Sequence, residues 1–180
     1  MATEILQKTG TIIAFADFAG DFGDGHGIAG TEVQLTLASL ADAAARQSTK
    51  ADLTAARAGQ YSVRVGIEMD VAPTAGAAVY FYWSASENVT AETGNDGGCS
   101  GADGAYQAGS EAEWVKQLQL IGVLTLTADA ATTVQISTVG RFTPPSRYGQ
   151  IVVWNEGGQA FEGDDVEMFV ALVPIVDESQ

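Results

Sequence analysis

Between residues 61 and 71 the chain reads YSVRVGIEMDV, with Tyr61, Val63, Val65, Ile67, Met69 and Val71 at alternate positions and Ser62, Arg64, Glu68 and Asp70 between them. A period of two sends the two sets to opposite faces of an extended chain, which predicts a half-buried antiparallel strand. Ala72, Pro73, Thr74, Ala75 and Gly76 break it. In the next run, AAVYFYWSAS, Val79, Phe81 and Trp83 alternate against Tyr80 and Tyr82. A strand apolar on both faces belongs near a sheet centre or under a second layer.

The same rhythm continues downstream. LQLIGVLTLTAD places Leu118, Leu120, Leu124 and Leu126 on one side and Ile121 and Val123 on the other, with a turn from Ala128 to Thr132. TTVQISTVGRF, the breaker TPPSRYG, QIVVWN, the turn EGGQ and DDVEMFVALVPIV follow. Strands at this spacing, joined by short turns, predict an all-β antiparallel sandwich or barrel rather than alternating strand and helix units. Pro174 has no ladder donor, so the last strand is expected to end or to lie at an edge there.

Two stretches pull towards helix, and at most one or two short helices are expected. LASLADAAARQ, residues 37–47, has high helix propensity, and SEAEWVKQLQ pairs Ser110 as a cap with Glu113 as a capping box. No repeat of solenoid or propeller length is present. The organisation read from the chain is a Gly/Asp-rich N-terminal segment over 1–32, taken as an arm, a sandwich domain over 33–176, and a C-terminal tail over 177–180. TGNDGGCSGADGAYQAG is a long glycine-rich loop, and such loops are usually binding elements or mobile until a partner orders them.

Composition narrows the function classes. Apolar residues make up 46% of the 180 and charged residues 17%, which argues against disorder and leaves a neutral surface suited to packing against neighbours. Eight Lys and Arg stand against 23 Asp and Glu, a net charge of −15. That field repels nucleic acid and anionic membranes, and no basic run offsets it. MATEILQKTG does not read as a signal peptide, and MFVALVPIV, the longest apolar run, is too short to span a bilayer as a helix. A protein made and kept in reducing cytosol is expected. Cys99 stands alone, which excludes an intrachain disulfide and any site with two thiolates.

Candidate chemistry is thin. ADFAGDFGDGHG holds Asp17, Asp21, Asp24 and His26, the chain's one histidine, but lacks the alternating ligands and terminal glutamate of an EF-hand and the further His or Cys of a zinc site. It reads as a solvated acidic loop, with Phe15, Phe18 and Phe22 as packing anchors. Cys99 has no cation beside it in sequence to lower its thiol pKa, and a triad has only His26 to draw on. Glu162, Asp164, Asp165 and Glu167 in FEGDDVE supply the carboxylates of a hydrolase, yet sit at an expected hairpin exit where turn chemistry favours Asp and Gly. Asn88 to Thr90 fits a glycosylation acceptor but lacks a secretory context. Tyr80, Phe81, Tyr82 and Trp83, with Trp154, form either a sugar-stacking platform or, more commonly for such residues, core and interface packing. No catalytic, cofactor-binding or metal-ligating residue is assigned, and no cofactor is expected.

Five segments in order, RQSTKADLT, VYFYWSASEN, KQLQLIGVLTLTADAATTVQ, PPSRYGQIVVWNEGGQAF and DVEMFVALVPI, together resemble the small β-sandwich virion proteins of tailed bacteriophages, in particular the decoration or cement components of the head. The likeness spans residues 33–174, and the first 30 residues depart from it. The resemblance implies a jelly-roll-like sandwich, no enzymatic activity, and a homo-oligomer, often a trimer in such groups. It implies contact with the major capsid protein or other virion subunits, and a place in the virion after synthesis in the host cytoplasm. Residues 16–30 and 92–109 are then the candidate contact loops. Two rivals stand beside it. A tail or fibre module binding host-surface carbohydrate needs Trp83, Trp114 or Trp154 in an open groove, and a hydrolase needs two carboxylates with a perturbed pKa in a concave site.

Overall fold

A computed structural model describes residues 5–17, 28, 30–55, 57–129, 131, 133–164 and 166–179. The strands are β1 (Ile5–Thr9), β2 (Ile12–Ala16), β3 (Gly30–Gln34), β4 (Ala45–Gln47), β5 (Ala51–Asp52), β6 (Gln60–Ile67), β7 (Ala78–Ser86), β8 (Gly104–Ala105), β9 (Gln119–Thr125), β10 (Gln135–Phe142), β11 (Tyr148–Glu156) and β12 (Phe169–Ser179). The first sheet runs β10-β6-β12-β2-β3, with β1 on the far end of β12. The second runs β8-β4-β11-β7-β9, with β5 also on β11. Among the described residues every strand pairing is antiparallel except β2 with β3. The protein is an all-β sandwich.

Alternation explains why the layers meet. Val63, Val65 and Ile67 of β6, Val170 and Leu172 of β12, and Ile13 and Phe15 of β2 turn inward from the first sheet. Val79, Phe81 and Trp83 of β7 with Ile151 and Val153 of β11 answer from the second. Trp83 lies at the centre, 1% exposed, with Phe15 edge-on to it at 6.5 Å and Phe142 tilted against it at 5.6 Å. Aromatic pairs in such geometry add to the area they bury.

Four local expectations are corrected. Residues 37–47 form turns and then β4, not a helix. Leu37 and Leu40 are drawn into the core, Ser39 and Ala43 take left-handed backbone conformations (φ 53° and 59°), and β4 pairs with β11, so tertiary contacts override alanine's propensity. Pro174 lies inside β12, a central strand, with β6 on one side and β1–β2 on the other. Thr9 faces Ile175 while Ile13 faces Leu172, so one extra residue bulges beside the proline. The Pro174 carbonyl, which accepts the Gly10 N–H at 3.0 Å, points to that bulge, and the missing donor falls where the ladder is already broken. Residues 5–16, grouped by sequence with an arm, form β1 and β2, and β12 carries the presumed tail to Ser179. The helix near Ser110 is α1 (Glu111–Trp114), but Ser110 makes no side-chain cap; its hydroxyl donates to the Gln107 carbonyl at 3.0 Å.

One corner of the sandwich is built by two opposed bulges. The β7–β9 register passes from Phe81↔Gly122 to Tyr82↔Leu120, leaving Ile121 unpaired, and the β6–β10 register skips Val139. The Ile121 bulge switches the parity of β9: Ile121, Leu124 and Leu126 are buried while Leu120 turns outward. Gly122 and Gly140 let the two strands touch, since a Cβ on Gly140 would lie 2.3 Å from the Ile121 carbonyl oxygen and one on Gly122 2.3 Å from Val139 Cγ2.

Candidate functional site

The outer face of the second sheet carries a second packed layer over half its width. Ala45 of β4 and Val152 of β11 point away from the main core, and Cys99, Tyr106 and Val115 close over them. The glycine-rich stretch is therefore part of the fold here. Tyr106 donates its hydroxyl to the Gly97 carbonyl at 2.8 Å, Gln47 is tied to Ser100 through both ends of its amide, and β8 pairs with β4. Cys99 is 6% exposed; burial pushes its thiol pKa up, against contacts with Ser84 and Gln150 that lower it. A thiol so placed is protonated and inert at neutral pH.

Lys50 fastens the start of this cover. Its Nζ donates to the carbonyls of Asn88 (2.9 Å), Thr90 (2.6 Å) and Thr93 (3.1 Å) and meets the Ser86 hydroxyl at 3.0 Å. Burial lowers the lysine pKa. The ring of oxygens holds the ammonium through charge-assisted hydrogen bonds. Asn95 continues the stitching, its amide donating to the carbonyls of Ala91 at 2.6 Å and Cys99 at 2.8 Å.

The two stretches singled out as contact loops meet at Thr36. Asp103 accepts the Thr36 N–H at 3.0 Å and its hydroxyl at 2.7 Å, while Asp17 accepts from the Gln34 amide at 2.8 Å. Asp17 is thus a structural acceptor at the start of the crossover between the parallel strands β2 and β3. Ile28, at its other end, packs on the outer face of the first sheet with Ala14, Ala16, Phe169 and Ala171. Phe15 is a core anchor. Phe18, Asp21, Phe22, Asp24 and His26 lie outside the described residues.

The acidic stretch does come together, around a residue expected to face solvent. Glu68, just past β6, is 7% exposed, and the Glu162 N–H reaches its carbonyl at 3.1 Å. Burial raises its carboxyl pKa, and Glu167, Glu162 and Asp164 raise it further, Glu167 also by a hydrogen bond. Asp165 lies outside the described residues. Among the described residues no group of His, Cys, Asp or Glu is arranged to hold a metal ion. Because folding raises the Glu68 pKa, its contribution to stability is fully present below the ordinary glutamate range and is lost as pH rises through the folded value. Glu68→Gln is expected to stabilise the protein at pH 7.5 by about 1 kcal/mol, or roughly 2–4 °C for a chain of this size. Thermal melts across pH check this: the gain must shrink towards pH 4, and a gain independent of pH contradicts it.

The other half of the second sheet's outer face is only partly covered, with Tyr82 and Trp154 packed against the edge of the cover. Leu120, 51% exposed, is the direct partner of Tyr82, and Val123 is the partner of Tyr80. Tyr80 stacks on Trp154 with centroids 5.6 Å apart. Trp154, Trp114 and Leu118 are partly buried where this strip meets the cover. Sequence periodicity separated Tyr80 and Tyr82 from Phe81 and Trp83, which are core; it missed Leu120, because the Ile121 bulge reverses the side on which that leucine emerges. No family model, curated protein or solved structure matches the chain.

Proposed function

We propose that the chain is a non-enzymatic virion structural protein, a decoration or cement component that binds the phage head through subunit contacts. The strip formed by exposed Leu120 with half-exposed Tyr80, Tyr82, Val123 and Trp154 carries the reading, because adjoining apolar and aromatic side chains left accessible on a sheet face suit a protein–protein contact. The five ordered segments that resemble head proteins support it from the sequence side, and a net charge of −15 suits a position away from packaged DNA. The partner is the major capsid protein or another virion subunit, with the chain itself as a homo-oligomer.

Co-sedimentation of purified protein with heads that lack it tests the contact. Leu120→Asp places a charge in the strip at an exposed site, so it should leave the melting temperature within about 1 °C while weakening head binding by at least about tenfold. Equal binding by wild type and variant rules this strip out as the contact.

A second reading, a tail or fibre module for host-surface carbohydrate, is favoured by the Tyr80–Trp154 stack and by the partial exposure of Trp114 and Trp154. Trp83, in the core, takes no part in it. Binding of host polysaccharide that is abolished by Tyr80→Ala would select this reading over the first.

A further inference from the structure

At one open end of the sandwich a cavity of about 400 Å³ lies between the β1–β2 bulge, β12 and the chain that follows β5. Ile13, Leu53, Pro174 and Val176 give it apolar walls. Two polar groups of a different kind meet in it. Tyr61, 2% exposed, accepts the Ala58 N–H on its hydroxyl oxygen at 3.3 Å, and its own O–H proton has no acceptor among the described residues. Burial raises the Tyr61 pKa, so the hydroxyl keeps that proton at neutral pH, and the Arg57 guanidinium is close enough to oppose the rise.

Arg57 forms no ion pair among the described residues. Asp52, which also lines the cavity, is held on both oxygens by Arg147 at 2.7 Å, leaving Arg57 as its uncompensated charge. Arg57 also borders an adjoining cavity of about 290 Å³, where Asp177 is the carboxylate on its other side. A buried hydroxyl with an unused proton beside a guanidinium is a receptor for a single carboxylate, since both donate and neither accepts from the ligand. Apolar walls next to that pair call for an aliphatic tail. The chain's negative field disfavours ligands of higher charge.

We propose that this cavity binds an aliphatic monocarboxylate, with its carboxylate between Arg57 and the Tyr61 hydroxyl and its tail against Ile13, Leu53, Pro174 and Val176. The site is separate from the Leu120 strip of the second sheet, so it stands or falls independently of the head-binding reading.

Octanoate titrated into the full chain, followed by calorimetry and by amide chemical shifts, tests it. Saturable one-to-one binding is expected, with shifts at Ala58, Tyr61 and Val176. Arg57→Gln should weaken it by at least about tenfold, Tyr61→Phe by about fivefold, and octanol in place of octanoate by at least about tenfold. Arg57 is exposed, and melting curves establish that each variant is folded. Absence of saturable binding up to about 10 mM, or octanoate binding that folded Arg57→Gln leaves unchanged, overturns the proposal.

Discussion

Gly140→Ala is expected to lower stability by about 3 kcal/mol, which corresponds to roughly 6–12 °C in melting temperature for a protein of this size. Left-handed geometry is not the cause, since Gly140 is not among the glycines with positive φ. The cause is space: a methyl group there would lie 2.3 Å from the Ile121 carbonyl oxygen and 3.5 Å from Gly122 Cα, so backbone rather than a side chain must yield. Gly122→Ala meets a different obstacle, the Val139 side chain, with Cγ2 at 2.3 Å. A second substitution, Val139→Ala, should therefore recover about 1–2 kcal/mol of the Gly122→Ala loss and none of the Gly140→Ala loss. Chemical denaturation of the two double-mutant cycles measures both. Equal rescue in the two cycles would contradict the opposed-bulge corner.

Lys50→Met is expected to cost about 2 kcal/mol, less than the loss of several charged hydrogen bonds in a dry interior, because the carbonyls of Asn88, Thr90 and Thr93 lie on exposed residues that water reaches. The effect should be local. Hydrogen exchange of amides over 87–101 is expected to rise by about thirtyfold while the amides of β7 and β11 change only through global stability. Uniform exchange across the cover and the sheets would show that the ammonium does not hold this segment. The covering layer over Ala45 and Val152 keeps a tie that Lys50→Met leaves intact, because the backbone N–H of residue 50 donates to the Gly101 carbonyl at 3.0 Å.

The strands β6, β7, β11 and β12 were legible, since each sends alternate residues into the main core, and β9 and β10 were legible as strands although a bulge interrupts the alternation of each. β2 was not. Its sequence IIAFA is apolar throughout because Ile13 and Phe15 enter the core while Ala14 and Ala16 pack under Ile28 on the opposite face, which erases the period of two. β4, β5 and β8 are only two or three residues long, too short for any periodicity, and are fixed by pairing with strands far away in sequence. Bulges were the other blind spot. A single inserted residue turned Leu120 to solvent and another accommodated Pro174, and neither leaves a mark that simple alternation can register.

The candidate surfaces divide in the same way. The half-exposed tyrosines of β7 follow from alternation alone, and the acidic stretch after Phe161 was visible as composition. What sequence did not reveal is that Glu68, on the presumed solvent face, is the buried centre of those carboxylates, because residues 160–162 return to pair beside it. The cavity at Arg57 was equally hidden. Its walls come from β2, β3, β5, β6, β12 and the chain after β5, and the pairings of β12 with β6 and β2, and of β2 with β3, bring the strands of the first sheet together there.

The most direct test is cryo-electron microscopy of particles produced with and without this gene. Density that fits the two-sheet body on the outer surface of the capsid shell, with the Leu120 strip against a neighbouring subunit, and that vanishes from the deletion particles is the result expected. Identical particles in the two preparations, or loss of density only at the tail, would contradict a head-binding structural role.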